Sequence, residues 1–425
     1  MNHLSIKDLD SFNLSTIFST ESEIQPLIDE LESRDLESVT HLNISNNVFY
    51  PNAMRKFSET LKKFKNLKIL EAERIFSAMP KNEMTKSLNI LSASILGLSD
   101  DIIEVIYKFD GFEDVDGRVF EDKLEFYGLK DDDEILIEQL ENYKAKSFLE
   151  IVDFSENAIS WCLPVFLRIL LVKSGKLLDV IMRDCGLGVG GMKNLMETLS
   201  EKNSEKNSEK KSEDSKNLIK KINLSRNKIT KNIIDLANSL ENLPNLEDLN
   251  LSYNTTFKEE VQILVEEIFS KNSNKNLKNL DLRDCFVSEE SAYLLGKLFV
   301  RNSMENLIIG DCLLKDEGLK SFIKGFEEEN TDKKHGSEDI MTVLDLSYND
   351  LTDDSQKIIL ETFKDYKNLK LIIFGNEFED EDLLESLEKK ILDNGGSVVL
   401  EEEDDVLEFE KSMLEKKFEN LALGE

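Results

Sequence analysis

A few stretches of this chain carry residue types that could do chemistry by themselves. The run GLGVGG sets Gly186, Gly188 and Gly191 at the spacing that lets backbone amides approach a pyrophosphate at a helix start. A dinucleotide site also needs a following strand that ends in an acidic ribose ligand, about 20 residues on. The chain has instead the low-complexity run EKNSEKNSEKKSEDSK, so the glycines read as a turn. Asp114, Asp116 and Gly117 hint at a calcium loop, but Phe112 falls on the first ligand position and Lys123 on the last. Calcium needs oxygen ligands at both ends of such a loop. His3, His41 and His335 are scattered and form no ligand set. The chain contains no G-x-x-x-x-G-K-[ST], G-x-S-x-G or H-E-x-x-H run. No catalytic constellation is visible, and the expected cofactors are none.

The elements that would position any functional residue come from a repeat. The unit is Leu-x-Leu-x-x-Asn/Cys-x-apolar followed by an amphipathic helix. It centres on Asn47, Asn157, Cys185, Asn227, Asn254, Cys285, Cys312, Asn349 and Asn376, with a basic period of 27–28 residues. A strand, a turn and a helix in that length predict an α/β fold, a leucine-rich-repeat horseshoe solenoid like ribonuclease inhibitor, with a parallel concave sheet and outer helices. The ladder Asn satisfies buried backbone groups through its amide, and Cys can replace it. Cys185, Cys285 and Cys312 therefore read as buried thiols rather than redox groups. Between residues 76 and 149 the pattern is weak. Ile75 and Leu129 still fall in phase with it, which predicts eleven units, with a poor one near Asp101.

The expected domains are an N-terminal cap over residues 1–37, the repeats over 38–400 and an acidic tail over 401–425. Charged runs at 201–216 and 327–339 read as disordered insertions. Residues 378–400 can form a last helix and a closing strand.

Composition bounds the partners. The chain has 425 residues with 53 Lys and Arg against 86 Asp and Glu, a net charge of −33. That balance argues against nucleic acid and against anionic membranes, and suits a basic protein surface. The N-terminus has no basic start and no apolar core, and no apolar stretch reaches the ~20 residues of a membrane span. The chain reads as a soluble protein of a reducing compartment. Inward-facing strand residues pair as Asp153 and Ser155, Ile181 and Arg183, Asn223 and Ser225, Asp281 and Arg283, and Asp345 and Ser347. They line either a solvated face or a protein-binding one.

Three stretches add a family resemblance. LEAERIFSAMPK (70–81), RDCGLGVGGMKNLMETL (183–199) and GNEFEDEDLLESLEKKI (375–391) resemble repeats of the Ran GTPase-activating proteins, whose chains also end in an acidic segment. The resemblance covers about residues 38–410. It implies a protein without an active site of its own, which makes a Ran-type small GTPase in its GTP form hydrolyse GTP in support of nucleocytoplasmic transport. Members of that family are similar in using an asparagine on a repeat turn to hold the GTPase's glutamine, with no arginine finger. GTP and magnesium would belong to the partner. The implied location is the cytoplasm, or the cytoplasmic face of the nuclear envelope, and the implied state is a monomer.

Carried onto this sequence, the family asparagine falls on Asp184. The implied GTPase contacts are Arg74, Met79, Lys81, Arg183 and Arg226. Two positions depart from the family. Its arginine falls on Met79, with Arg74 five residues upstream, and Asp184 is a carboxylate that accepts but cannot donate. The alternative function is a non-catalytic scaffold or inhibitor that binds a basic protein.

Overall fold

Alternation within each three-residue strand decides the architecture: the central residue points to the core and its neighbours to the opposite face. Leu42, Leu70, Val152, Val180 and Ile222 are the central residues of successive strands and are all fully buried. The computed structural model describes residues 3–9, 16–76, 79–108, 147–160, 163–201, 218–270, 275–331 and 341–401. Residues 402–425, most of both expected insertions, Leu129 and the Asp114, Asp116 and Gly117 stretch lie outside these.

Two compact units divide the chain, residues 2–246 and 247–425, where the sequence predicts one repeat domain. The division follows the shortest α-helix among the described residues, Ile234–Ser239. A six-residue helix covers less of the core than the neighbouring ones of 13 and 14 residues.

In the first unit, β1 (His3–Ser5), β3 (His41–Asn43), β5 (Ile69–Glu71), β6 (Ile151–Asp153), β7 (Asp179–Ile181) and β8 (Lys221–Asn223) pair in parallel in that order. A small parallel pair joins β2 (Ile17–Phe18) to β4 (Val48–Phe49). The helices are α1 (Glu21–Glu32), α2 (Pro51–Leu61), α3 (Lys81–Ile95), α4 (Asp100–Lys108), α5 (Val165–Lys173), α6 (Gly188–Glu201) and α7 (Ile234–Ser239).

The second unit repeats the scheme. Strands β9 (Asp248–Asn250), β10 (Asn279–Asp281), β11 (Asn306–Ile308), β12 (Thr342–Asp345), β13 (Leu369–Ile372) and β14 (Ser397–Val399) pair in parallel in chain order. Helices α8 (Lys258–Ser270), α9 (Glu289–Arg301), α10 (Lys315–Glu329), α11 (Asp353–Phe363) and α12 (Glu381–Asp393) follow their strands. The fold is the leucine-rich-repeat α/β fold, and α12 with β14 is the expected last helix and closing strand. No helix among the described residues is long and apolar enough to cross a membrane.

Two expectations need correction. β5 pairs directly with β6, with Ile69 opposite Ile151, so no further ladder strand intervenes between residues 76 and 149. The region near Asp101 is α4, packed on α2 and α3. The first residues are not merely a cap either. β1 is a ladder strand with His3 opposite His41, missed because its turn carries no ladder Asn or Cys.

The ladder works as its chemistry demands. Asn227 accepts from the backbone N–H groups of Cys185 and Leu187 at 3.0 and 3.1 Å and donates to the carbonyls of Met182 and Leu224. Asn349 does the same for Cys312 and Leu314. A cysteine at the ladder position makes weaker bonds: Cys185 Sγ donates to the Phe154 carbonyl at 3.1 Å, and Cys312 Sγ to the Leu282 carbonyl at 3.2 Å. All three described cysteines are buried, and burial pushes the Cys185 thiol up. At Ile75 the ladder group is missing. The adjacent Phe76 N–H is taken by Asn157 of the next repeat at 3.0 Å.

Candidate functional site

Most ladder strands run into a turn whose last residue before the ladder position adopts the left-handed backbone conformation. In the first unit these residues are Asn46, Arg74, Glu156, Asp184 and Arg226, with φ between 51° and 61°. Non-glycine residues rarely occupy this region, and Asn and Asp do so most easily. The ladder enforces it: the Arg74 N–H is held by the Ser155 carbonyl and the Asp184 N–H by the Ser225 carbonyl.

Three of the residues implied by the resemblance, Arg74, Asp184 and Arg226, therefore hold one equivalent position on β5, β7 and β8. All three are exposed. Arg183 precedes Asp184 and is one-third exposed. Met79 and Lys81 are not on this row. Met79 lies ahead of α3, its N–H bonded to the Phe76 carbonyl, and Lys81 is the first residue of that helix; both are half-buried.

The turn row carries an ion-pair network that the sequence did not reveal. Glu156 takes Arg74 Nε on one carboxylate oxygen and Arg183 Nη2 on the other. Arg183 Nη2 also lies 3.4 Å from Glu73 Oε1. Burial opposes ionisation of Glu156, but the two guanidiniums outweigh it and hold the carboxyl below the usual glutamate range. Glu73 behaves oppositely. Burial pushes its carboxyl up, and the neighbouring Asp153 and Glu156 push it further. The net result is a turn row of mixed charge in which Arg74 and Arg183 are already engaged from within.

The only regularity that could have signalled this network is that Glu156 stands 28 residues before Asp184, at the same turn position. Its arginine partners lie 82 residues upstream and 27 downstream. Charge pairing at such separations is invisible until the register is known.

Behind the turns, the inward-facing polar residues have a structural task. Asp153 accepts from the Ser155 N–H at 2.8 Å, Asn223 from Ser225 at 3.0 Å, Asp281 from Arg283 at 3.0 Å and Asp345 from Ser347 at 2.9 Å. Each closes an Asx turn that ends its strand. Ile181 breaks the pattern and is buried. At the start of the sheet, the His3 and His41 rings lie 4.2 Å apart, tilted by 41°, and His41 Nε2 lies 3.2 Å from Glu71.

No protein-family model and no curated protein matches this sequence. Two solved structures illustrate what the fold is similar to. One is an internalin from Listeria monocytogenes, 14% identical, with a TM-score of 0.36 over 90% of this chain and 94% of that one. The other is a TLR13–ssRNA13 complex, 16% identical, with a TM-score of 0.32 over 89% of this chain and 52% of that one. This chain thus spans about half the length of the TLR13 chain it matches. At these identities and scores neither likeness bears on partners. The repeat assignment rests on the ladder and the strand register.

Proposed function

We propose that this chain is a protein-binding repeat module that stimulates GTP hydrolysis by a Ran-type small GTPase. The observation that carries this reading is the turn row: Arg74, Asp184 and Arg226, drawn from separate stretches of sequence, stand at one equivalent position on β5, β7 and β8. A GTPase laid along the row would meet all three, with Arg183 beside them. Asp184 would accept from the NH₂ of the GTPase's glutamine and so help hold the attacking water. GTP and magnesium would stay on the partner, and the chain would act as a monomer in the cytoplasm or at the cytoplasmic face of the nuclear envelope.

The test is single-turnover GTP hydrolysis by the cognate GTPase with and without the full chain. Acceleration at micromolar concentration supports the reading, and an unchanged rate rejects it.

A second reading is favoured by Glu156 and Asp184 together. With Arg74 and Arg183 held by Glu156, and no side-chain donor at residue 184, the row would bind a GTPase without speeding its chemistry. Retention of the GTP-bound GTPase on immobilised chain, combined with an unchanged hydrolysis rate, selects this scaffold over the activator.

A further inference from the structure

We propose that β1 is an acid-released latch: protonation of His3 against His41 detaches this edge strand from β3. The inference is independent of the GTPase reading.

β1 is three residues long and, among the described residues, pairs with β3 alone. A short strand at the edge of a sheet opens locally more readily than the strands inside it. At neutral pH its hold on the unit is apolar, through the buried Leu4, Ile6 and Leu9.

The register sets His3 directly opposite His41, on the face turned away from the core-facing Leu4. The two rings are 4.2 Å apart; His3 is exposed, whereas His41 is buried. The Glu71 carboxylate on β5 is committed to the β3 side of this pair. One oxygen lies 3.2 Å from His41 Nε2, and the other accepts from Asn43 Nδ2. A proton on His3 therefore places a positive charge against a second ring that can carry one. Asp8 and Lys7, in the turn after β1, are the other charges near His3, and they are of opposite sign. Burial first and His41 next hold the His3 imidazole below the ordinary histidine range, while Glu71 and Asp8 pull it up and Lys7 lowers it.

Detachment relieves both of the leading effects, because it returns His3 to water and takes it away from His41. The released strand thus binds the proton more tightly than the paired one. As pH falls through the ordinary histidine value of about 6.5, the released strand is protonated first and pairing weakens. The loss ends once pH passes below the lowered value of the paired state. Within that window, one proton shifts the balance toward release by at most about tenfold per pH unit. Release bares the main-chain N–H and C=O groups along the edge of β3, a row that another strand can pair with.

The test follows hydrogen exchange of the full chain by mass spectrometry from about pH 8 to about pH 5, either side of the ordinary histidine value. Protection is taken relative to the intrinsic exchange rate at each pH. For peptides covering β1 and β3 it should fall by up to about tenfold per pH unit across the window, while peptides covering β10 and β11 keep theirs. His3→Gln should keep the protection seen at neutral pH and lose most of its pH dependence. Protection of β1 that does not change with pH, an equal fall in His3→Gln, or a fall shared by β10 and β11 overturns the proposal. Should His3→Gln fail to hold β1 at neutral pH, histidine NMR of the unaltered chain, which has three histidines, decides. The His3 ring should titrate below the ordinary histidine value, and titration at or above that value overturns the latch.

Discussion

Arg183 and Glu156 face each other across neighbouring repeats, the guanidinium from the turn after β7 meeting the carboxylate from the turn after β6. Arg74 meets the other oxygen of the same carboxylate. One acidic side chain thus occupies two of the three arginines that a partner on this row would reach first. Any positive potential the row offers a GTPase is set by how firmly Glu156 holds them.

Glu156→Gln keeps the shape and removes the charge. Folding stability should fall by about 1–2 kcal/mol, the scale of hydrogen bonds to charged groups at a partly exposed site. Urea midpoints measure that. Arg74 and Arg183 should be released at the same time, so binding to the GTP-bound GTPase should tighten and become more salt-sensitive. Affinity that is unchanged at low salt would remove these arginines from the interface.

Asp184 separates activator from scaffold within one protein. Its backbone is left-handed, with φ of 51°. Asparagine tolerates that conformation, so Asp184→Asn should leave stability within about 0.5 kcal/mol. Stimulated hydrolysis should rise on the order of tenfold or more if the missing donor is the only deficit. Asp184→Ala should cost about 1–2 kcal/mol through the left-handed penalty. It should also lower the stimulated rate at roughly constant affinity if the carboxylate does the positioning. Unchanged hydrolysis in both variants means that this turn is not the site.

Most of the fold was legible because the ladder imposes a residue type at a fixed place. Asn227 must accept two N–H groups and donate to carbonyls, and few side chains can do both. β1 was not legible, because its turn lacks that residue. The count of units misled for the converse reason: a weak pattern between residues 76 and 149 suggested further ladder strands, and only the direct pairing of β5 with β6 shows that none intervenes. The turn row was half legible. The family resemblance pointed to Asp184, and its place just before the ladder Cys185 sets it on a turn. The engagement of Arg74 and Arg183 by Glu156 depends on which strands are neighbours, and β5 meets β6 across a gap of about eighty residues in sequence.

In the second unit, Arg283 reaches past one strand to Asp345, which is fully buried. Gly310 stands in the turn between them. A Cβ added there would lie 2.7 Å from Ser347 Oγ and 3.1 Å from Asp345 Oδ1. Gly310→Ala must therefore push Ser347 off Asp345 and disturb the partner of Arg283. The expected loss is about 1–3 kcal/mol, the usual cost of overpacking. Thermal unfolding would register it, and an unshifted midpoint would mean that the turn adjusts freely.

Glu73 makes the last prediction, on pH. Its carboxyl is pushed above the ordinary glutamate range, first by burial and then by Asp153 and Glu156, while Arg183 and Arg74 pull the other way. Asp153 is pushed up by burial as well, against the bonds it accepts from Ser155. An acid whose pKa is higher in the folded state holds its proton more tightly there than in the unfolded chain. As pH rises through the ordinary carboxylate range, the unfolded chain releases that proton first, so the unfolded state binds fewer protons and stability falls. The fall ends once pH passes the raised folded value. Glu73→Gln removes this contribution, so the variant should lose less stability than the parent as pH rises through that window, while their curves run parallel above it. Urea unfolding of both proteins at a series of pH values measures the difference. Parallel curves throughout the window would mean that Glu73 ionises in the folded protein as it does in the unfolded one, with Arg183 cancelling the repulsion of its two acidic neighbours.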